Sequence, residues 1–362
     1  MSDQLPNFAT RRVVRPPNDL KKLPPRHGNH KPISAQRKYW RWALKGLAVG
    51  LGAVIAIAGI SALDLFGRLN QDNIVLEGSG PVDLNGPINI LVVGSDTRKD
   101  QGEGFGDVTS ELADVIMLLH ISEDRTNASV LSFPRDLLVS IPACSNPDGE
   151  DFEPMARRQI NSSISYGGVA CTHKTVEELT DIDIPFLAMI DFKGVIEMSN
   201  AIGGVEVVID KPIYDDYSAF YIDAGTHTLQ GAEALAFLRT RHGVGDGSDL
   251  ARISNQQKFL MSLFTKVKDE GVLNNPIRLY SLSSAAARNM RLSESMTELG
   301  TMVTLAGALR DVEPSKLTFL QVPSVALGGT DFGRLEIIED EANKIFDQIK
   351  QDKPLIVEEP AT

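Results

Sequence analysis

From residue 87 onward, short apolar runs alternate with stretches in which apolar residues recur every three or four positions. The apolar runs are only a few residues long and end at Gly, Pro or polar residues, which is typical of buried strands. The predicted strands are 88–93, 115–121, 128–133, 186–190, 205–209 and 317–322. The predicted helices are 172–179, 192–202, 231–238, 248–267 and 293–309. Strands that alternate with helices favour the α/β class, and we expect an α/β/α sandwich with a mixed central sheet.

The N-terminal part of the chain follows another pattern. Residues 46–63 contain no charged side chain, and this length matches a membrane-spanning helix at the short end of the usual range. Trp40 and Trp42 precede the apolar segment, where indole rings favour the headgroup region of a bilayer. We therefore expect one transmembrane helix over 43–66. The alternative is a cleaved signal peptide, but the preceding basic segment is too long and the small-residue exit is poor.

Charge is divided unevenly around this apolar segment. Residues 1–45 hold 11 Lys or Arg and 2 Asp or Glu, which leaves 25 basic and 46 acidic residues of the totals of 36 and 48. The positive-inside bias places the basic head in the cytoplasm and the acidic body outside the cell membrane. The expected organisation is a disordered basic cytoplasmic tail over 1–42, the transmembrane helix, a linker over 67–86, an extracellular catalytic domain over 87–350 and a flexible tail over 351–362.

The basic head is rich in Pro, Arg, Lys and Asn and has little apolar periodicity, which is typical of disorder. Its charge would suit either nucleic acid or anionic lipid. A solvated tail that sets the topology and touches membrane lipid is the simpler interpretation, so no nucleic-acid partner is expected.

The chain has two cysteines, Cys144 and Cys171. An even, small cysteine count in an exported domain suggests one disulfide, and two free buried thiols are the alternative. Neither a CxxC pair nor paired histidines at ligand spacing occur, so a zinc site is not expected.

The candidate chemistry begins at the end of the third predicted strand. Pro134 cannot donate to a sheet ladder, so the strand stops there and presents Arg135 and Asp136 at its carboxyl end. A guanidinium and a carboxylate at this position suit a phosphate ligand. An Arg–Asp pair that only knits a surface loop is the alternative interpretation.

Three strand ends are expected to meet at one edge of the sheet. A short turn makes the second and third strands antiparallel neighbours. Gly94 is expected to end the first strand, and a Gly-rich loop joins it to the second. If that pair is also antiparallel, Asp96 and Arg98, Asp114, and Arg135 with Asp136 come together at this edge. Asp96 and Asp114 are then candidate Mg²⁺ ligands, since Mg²⁺ takes one or two carboxylates with water and phosphate. Otherwise they only cap a turn and top a strand.

The second half of the chain contributes more basic residues. Arg239 and Arg241 follow a predicted helix, and an extended exit would put both on one face. Arg252 and Gln256 lie four apart on the next predicted helix and share a face. Five arginines are therefore candidates to bind a pyrophosphate: Arg98, Arg135, Arg239, Arg241 and Arg252. A solvated polar surface is the alternative, and Asp136 would either accept a hydroxyl proton or orient Arg135.

These clusters resemble those of the LytR–CpsA–Psr family, in particular its actinobacterial members. The matching segments are NILVVGSDTR (89–98), ADVIM (113–117), SFPRD (132–136), QIN (159–161), 191–192, 203–205 and 229–257. The resemblance covers roughly 87–264 and the preceding anchor. Two departures are an Asp96–Asp114 gap longer than expected and Ala113 where a Ser is common. They leave the geometry of that loop open, more than the identity of the ligands.

The resemblance implies a phosphotransferase that moves a glycopolymer phosphate from a polyprenyl-pyrophosphate carrier to a muramic acid hydroxyl of peptidoglycan. It implies Mg²⁺ held by Asp96 and Asp114, catalytic roles for Arg135, Asp136, Arg239 and Arg241, and pyrophosphate binding by the five arginines with Gln256 in support. It also implies an apolar lipid tunnel, for which 192–198 and 259–264 are candidates, although plain core is the simpler interpretation of each residue. The rival functions are a polyprenyl-pyrophosphate phosphatase and a non-catalytic lipid-binding regulatory membrane protein.

Overall fold

The computed structural model describes residues 67, 73–76, 82–96, 112–146, 149–241, 249–269 and 276–355. All of them belong to one compact unit, Gly59–Thr362. The predicted cytoplasmic tail and transmembrane segment, Arg98 and residues 356–362 lie outside the described residues. Within the described ranges, no helix combines the length and the apolar character that a bilayer crossing requires.

The described chain alternates strands and helices. The strands are β1 (Ile88–Ser95), β2 (Ala113–Ile121), β3 (Ala128–Phe133), β4 (Leu138–Ile141), β5 (Cys144–Ser145), β6 (Asp151–Phe152), β7 (Met155–Gln159), β8 (Phe186–Ile190), β9 (Val205–Ile209), β10 (Ile213–Asp215), β11 (Phe220–Ile222), β12 (Gly225–Leu229), β13 (Met290–Leu292), β14 (Leu317–Gln321), β15 (Ser324–Ala326) and β16 (Leu335–Ile337). The α-helices are α1 (Ser163–Thr180), α2 (Phe192–Ala201), α3 (Gly231–Arg239), α4 (Asp249–Asp269), α5 (Pro276–Asn289), α6 (Glu294–Thr297), α7 (Leu299–Asp311) and α8 (Glu339–Lys350). Short 3-10 helices occupy Ile160–Ser162, Pro314–Lys316 and Gly329–Asp331.

Six strands form a mixed central sheet in the order β13-β8-β1-β2-β3-β14. β2 pairs antiparallel with β3, as the short turn predicts, and also with β1, which the sequence left open. β8 and β14 join β1 and β3 as parallel strands. The predicted strand 205–209 has the right bounds but does not belong to the central sheet. It is β9, which pairs with β12 in a separate two-stranded ribbon. Its burial alternates along the strand, which fits a ribbon with one wet face.

Helices cover both faces of the sheet, which confirms the α/β/α arrangement. On one face, Leu91 and Leu131 pack in a cluster with residues of α1 and α8. On the other, Ile90 and Phe186 pack with residues of α7. Successive residues of β1 therefore enter opposite cores, which explains its continuous apolar run. A further cluster, built from β9 to β12 with α3 and Phe259 of α4, forms a second core beside the sheet.

Several sequence predictions are wrong in detail. Gly94 does not end the first strand, since β1 runs to Ser95. The predicted helix 293–309 is two helices separated at Glu298, whose backbone is extended. Helices α5 and α8 were not predicted.

Two segments predicted to be a linker and a flexible tail are docked where they are described. The backbone N–H of Ile74, a buried residue, donates to Leu292 O of β13 at 2.9 Å. Beyond α8, the Asp352 carboxylate lies 3.0 Å from His120 Nε2 and accepts from Glu123 N at 3.1 Å. Leu355 is buried in the α1–α8 core. Neither segment shows the apolar periodicity that would have revealed this docking.

The disulfide prediction is confirmed: Cys144 of β5 and Cys171 of α1 are bonded, with Cα atoms 5.6 Å apart. The bridge requires close approach of the helix. A Cβ atom added at Gly167 would lie 2.7 Å from Cys144 Cβ and 2.8 Å from Cys171 Cβ. Gly167 and Gly168 have non-helical backbone angles that kink α1 at this point. The kink therefore makes room for the bridge.

Candidate active site

A cavity of about 370 Å³ opens between the central sheet and helices α2 and α4. Its lining combines a group of charged and polar side chains with a larger apolar wall. The predicted site residues that line it are Asp114, Arg135, Arg239, Arg241, Arg252 and Gln256. The fold thus brings together six residues that are scattered over more than a hundred positions of the chain.

Asp114 owes its position to a β-bulge. Gly94 pairs with Val115 and Ser95 pairs with Ala113, so Asp114 is the extra residue on β2. A bulge re-aims the side chain of the extra residue, and bulges are common beside active sites. Gly94 is needed here, because a Cβ atom at this position would lie 2.9 Å from Val115 Cβ. The predicted role of Gly94 as a strand end was wrong, and its role is close strand approach at the bulge.

Asp96 lies where β1 leaves the sheet. Its backbone N–H donates to Leu112 O at 3.0 Å, and its Oδ1 accepts from Leu112 N at 2.8 Å. Asp96 is therefore opposite Leu112 and diagonal to Asp114 across the two strands. The alternative to a metal ligand, in which Asp96 only caps a turn, accounts for the Oδ1 atom that accepts from Leu112 N.

Arg135 joins two carboxylates. Its NH1 atom donates to Asp114 Oδ1 at 2.6 Å, and its Nε donates to Asp136 Oδ2 at 3.4 Å. Asp136 also accepts a hydrogen bond from Gln159 Nε2, and Arg334 NH1 lies 3.6 Å from Asp136 Oδ1. Asp136 belongs to this chain of contacts and is not among the described residues that line the cavity. These contacts fit the orienting role better than the role of a base.

Arg252 and Gln256 share the cavity-facing side of α4, as their spacing predicts. Arg252 is 5% exposed; its NH2 donates to Asp114 O at 3.0 Å and its NH1 lies 3.8 Å from Asp114 Oδ1. Gln256 Nε2 donates to Leu238 O at 3.2 Å, next to the end of α3. Gln256 therefore holds the helix end that presents Arg239.

Arg239 is the last residue of α3, and the chain leaves the helix in an extended conformation at Thr240, with φ −65° and ψ 134°. Arg239 and Arg241 both line the cavity, while Thr240 is buried between them. The Arg239 guanidinium carbon lies 4.5 Å from the centre of the Phe192 ring, a cation–π contact that orients it.

Asp215 is a site residue that the sequence reasoning missed. It is 1% exposed and lines the cavity. Its carboxylate accepts from Thr240 Oγ1 at 2.6 Å and from the backbone N–H groups of Arg241, Tyr217 and Ser218 at 3.1, 2.9 and 3.3 Å. Asp215 lies in a polar segment that resembles ordinary protein surface. The one signal that it points inward is its place two residues after the buried Ile213, on the same face of β10.

Burial by itself would raise the pKa of the Asp215 carboxyl. Hydrogen bonds from the Thr240 hydroxyl and from the backbone N–H groups of Arg241 and Ser218 overcome this effect and hold the pKa well below its usual range. Asp215 is therefore a buried carboxylate that fixes Arg241 and the Tyr217 turn.

The apolar wall comes mainly from α2 and α4. Phe192, Val195 and Met198 line it from α2, and Phe259, Leu260 and Leu263 from α4. Lining the cavity does not exclude the plain-core interpretation, since Phe259 also belongs to the second core. Phe264 is not among the described lining residues and packs on the α7 side of the sheet. An apolar cavity beside an arginine cluster suits a ligand with an anionic head and a hydrocarbon tail.

The Mg²⁺ site remains a prediction, and the available donor atoms bear on it. No group of three or more His, Cys, Asp or Glu side chains suited to a metal ion occurs among the described residues. Asp96 and Asp114, on neighbouring strands beside the bulge, supply two carboxylates. Mg²⁺ is usually bound by one or two protein carboxylates and completes its shell with water and phosphate oxygens. The residues therefore fit Mg²⁺ bound together with a phosphate ligand.

Comparison with known proteins identifies the family and the fold of the chain. A sequence model of the LytR_cpsA_psr family matches residues 67–351. The cell wall biosynthesis protein LcpA of Corynebacterium glutamicum is 29% identical over 81% of this chain and 60% of its own length. This chain thus spans about three fifths of that relative. The polyisoprenyl-teichoic acid–peptidoglycan teichoic acid transferase TagT of Bacillus subtilis is 29% identical over 64% of this chain and 67% of its own. The structure of a LytR-Csp2A-Psr enzyme from Actinomyces oris superimposes with a TM-score of 0.57 at 19% identity, over 77% of this chain and 95% of its own.

Proposed function

Since the chain belongs to the LytR–CpsA–Psr family, we propose that it is a phosphotransferase that moves a glycopolymer phosphate from a polyprenyl-pyrophosphate carrier to peptidoglycan. The observation that carries this proposal is the joining of four arginines to an apolar wall in one cavity: Arg135, Arg239, Arg241 and Arg252. A diphosphate fits the arginines and a polyprenyl chain fits the wall. The names of the relatives LcpA and TagT support a cell-wall substrate.

In the proposed reaction, an acceptor hydroxyl attacks the phosphorus that carries the glycopolymer. The new phosphoester O–P bond forms as the bond to the bridging oxygen breaks, and polyprenyl phosphate leaves with the extra negative charge. Guanidinium groups fixed in advance stabilise the charge that develops on these oxygens, which is worth several kcal/mol when donors are preorganised. Asp114 fixes the guanidinium groups of Arg135 and Arg252, and Asp215 fixes the backbone of Arg241 through its N–H group.

Asp96 and Asp114 would hold Mg²⁺, which would add positive charge beside the phosphate oxygens. Asp136 orients Arg135 in this proposal, through contacts with Gln159 and Arg334. The acceptor hydroxyl proton passes to a base or to water at the cavity mouth. A membrane anchor over 43–66, with the catalytic domain outside the cell, would hold the cavity near its lipid-borne donor. Protease accessibility in intact cells tests this orientation.

The function is tested with a purified full-length chain in detergent, a labelled polyprenyl-pyrophosphate glycopolymer and peptidoglycan. Label should enter peptidoglycan only when donor, Mg²⁺ and acceptor are all present. Arg135→Ala should lower transfer by about 10²–10³-fold. Arg157→Ala, which removes a mostly exposed arginine paired with Glu336 and Asp331, should leave transfer unchanged. Release of glycopolymer phosphate at a rate independent of acceptor would instead identify a phosphatase. Donor binding without turnover would favour the regulatory alternative.

A further inference from the structure

The ribbon formed by β10 and β11 carries an exposed aromatic surface that the site above does not use. Three of the six tyrosines of the chain lie within residues 214–221. Tyr214 and Tyr221 are direct cross-strand partners, and each is about 60% exposed (60% and 59%). Tyr217, in the turn between the strands, is 85% exposed and also lines the cavity. Scattered single aromatics need no explanation, but a paired and exposed set does.

Both phenol groups of the pair are held in place. Tyr214 Oη donates to Asp223 Oδ1 at 3.0 Å, and Tyr221 Oη donates to Asp216 Oδ1 at 2.8 Å. Each tyrosine thus bonds the carboxylate two residues after its cross-strand partner. The ribbon presents two fixed rings flanked by two carboxylates, which we call the tyrosine platform (Tyr214, Asp216, Tyr221 and Asp223).

The chemistry of the tyrosine platform selects one kind of ligand. Residues 205–229 contain five acidic residues and one basic residue. This charge repels phosphate polymers and anionic lipid headgroups. Aromatic faces are weakly negative and attract the C–H faces of uncharged rings, while carboxylate oxygens accept hydrogen bonds from hydroxyl and amide groups. A neutral pyranose with hydroxyl and acetamido substituents offers both.

The inner face of the same ribbon forms part of the cavity wall. Asp215 points inward and holds Arg241, whereas its neighbour Tyr214 points outward. Tyr217 at the ribbon tip is common to the cavity rim and the exposed surface. An extended polymer that lies on the outer face can therefore reach the rim by passing the tip.

We propose that the tyrosine platform binds uncharged sugar rings of a glycan strand and holds the strand so that its next sugars reach the cavity rim at Tyr217. This inference rests on the proposed transferase function, because it assigns the place where the acceptor polysaccharide docks. It differs from the pyrophosphate site in residues, charge and ligand. Acceptor affinity and donor chemistry are therefore separable by mutation.

The test uses full-length protein in detergent, with chitotetraose as a neutral soluble probe and purified peptidoglycan glycan strands as the polymer. Replacing both Tyr214 and Tyr221 with Ala should weaken binding of both probes by about tenfold, as expected for two aromatic anchors. Phe332→Ala removes an even more exposed aromatic elsewhere (85% exposed) and should leave binding unchanged. If the double variant fails to fold, the single Tyr→Ala variants should each show part of the loss.

Donor binding and acceptor-independent steps are measured in the same variants. Unchanged glycan binding in a folded double variant, or no glycan binding by the unaltered protein, would overturn the platform. Equal loss of binding to phosphatidylglycerol vesicles would also overturn it, since it would identify a membrane-docking surface. Failure of the unaltered protein to bind a polyprenyl-pyrophosphate donor would instead contradict the proposed function, and this arm does not involve the tyrosines.

Discussion

Replacing Asp215 with Asn would test whether one buried carboxylate holds the arginine segment of the cavity. The substitution is nearly isosteric and leaves one oxygen as an acceptor for Tyr217 N and Ser218 N. The new amide NH₂ would face Thr240 Oγ1 and the backbone N–H of Arg241. The Arg241 N–H would then meet a donor where it now meets an acceptor.

The cost follows from these contacts. Hydrogen bonds to a charged group contribute about 1.5–3 kcal/mol, and an unsatisfied buried donor costs about 1–3 kcal/mol. Partial relaxation of the Tyr217 turn reduces the sum, so we expect a loss of about 2–4 kcal/mol in the free energy of unfolding. For a domain of this size, the melting temperature should fall by about 4–8 °C.

The pH dependence supplies a second readout. The pKa of Asp215 is depressed in the folded protein, so its ionised form stabilises the fold above the unfolded-state pKa of about 3.9. That contribution is lost as pH falls from about 5 toward the folded-state pKa. The difference in melting temperature between the unaltered protein and Asp215→Asn should therefore be constant from pH 5 to 8 and should narrow below about pH 4.

Thermal unfolding and donor binding are measured together on Asp215→Asn and on Asp210→Asn. Asp210 is a matched control, because its carboxylate is 70% exposed and pairs only at the surface with Lys258 at 2.7 Å. The control should melt like the unaltered protein. If Asp215→Asn also melts within 1 °C of it and binds donor normally, the claim that this carboxylate organises the Arg239–Arg241 segment is refuted.

Three further predictions concern the bulge, the arginine cluster and the disulfide. Arg135→Ala should lower transfer by about 10²–10³-fold. It should change the free energy of unfolding by less than about 1 kcal/mol, since the Arg135–Asp114 pair is partly exposed. A large drop in melting temperature would contradict this placement of Arg135. Gly94→Ala should destabilise the fold by about 1–3 kcal/mol, because the new Cβ would lie 2.9 Å from Val115 Cβ. The control is Gly300→Ala, which has no atom within 4 Å of its new Cβ and should not destabilise the fold. Equal melting temperatures of the two variants would show that close strand approach at the bulge does not require Gly94. Cys171→Ser should lower the free energy of unfolding by about 3 kcal/mol, because the bridge closes a loop between residues 27 apart, and dithiothreitol should lower the melting temperature of the unaltered protein only.

Local patterns in the sequence predict most of the central strands and several residues of the candidate site. Apolar runs located the central strands, and the short turn after β2 required an antiparallel pair. Pro134 marked the end of β3, and residue spacing placed Arg239 with Arg241 and Arg252 with Gln256. These features depend on neighbours in the chain, so period and turn chemistry are enough to read them.

Which of these residues contact each other, and which hydrogen bonds fix them, is visible only in the folded domain. Arg252 contacts Asp114 across 138 positions, and Asp215 reaches Thr240 across 25. The place of β9 outside the main sheet and the docking of Asp352 on His120 are of the same kind. Such contacts leave no pattern in the local sequence. A buried carboxylate is stable only where hydrogen-bond donors surround it, and the packing of the whole domain brings those donors to it.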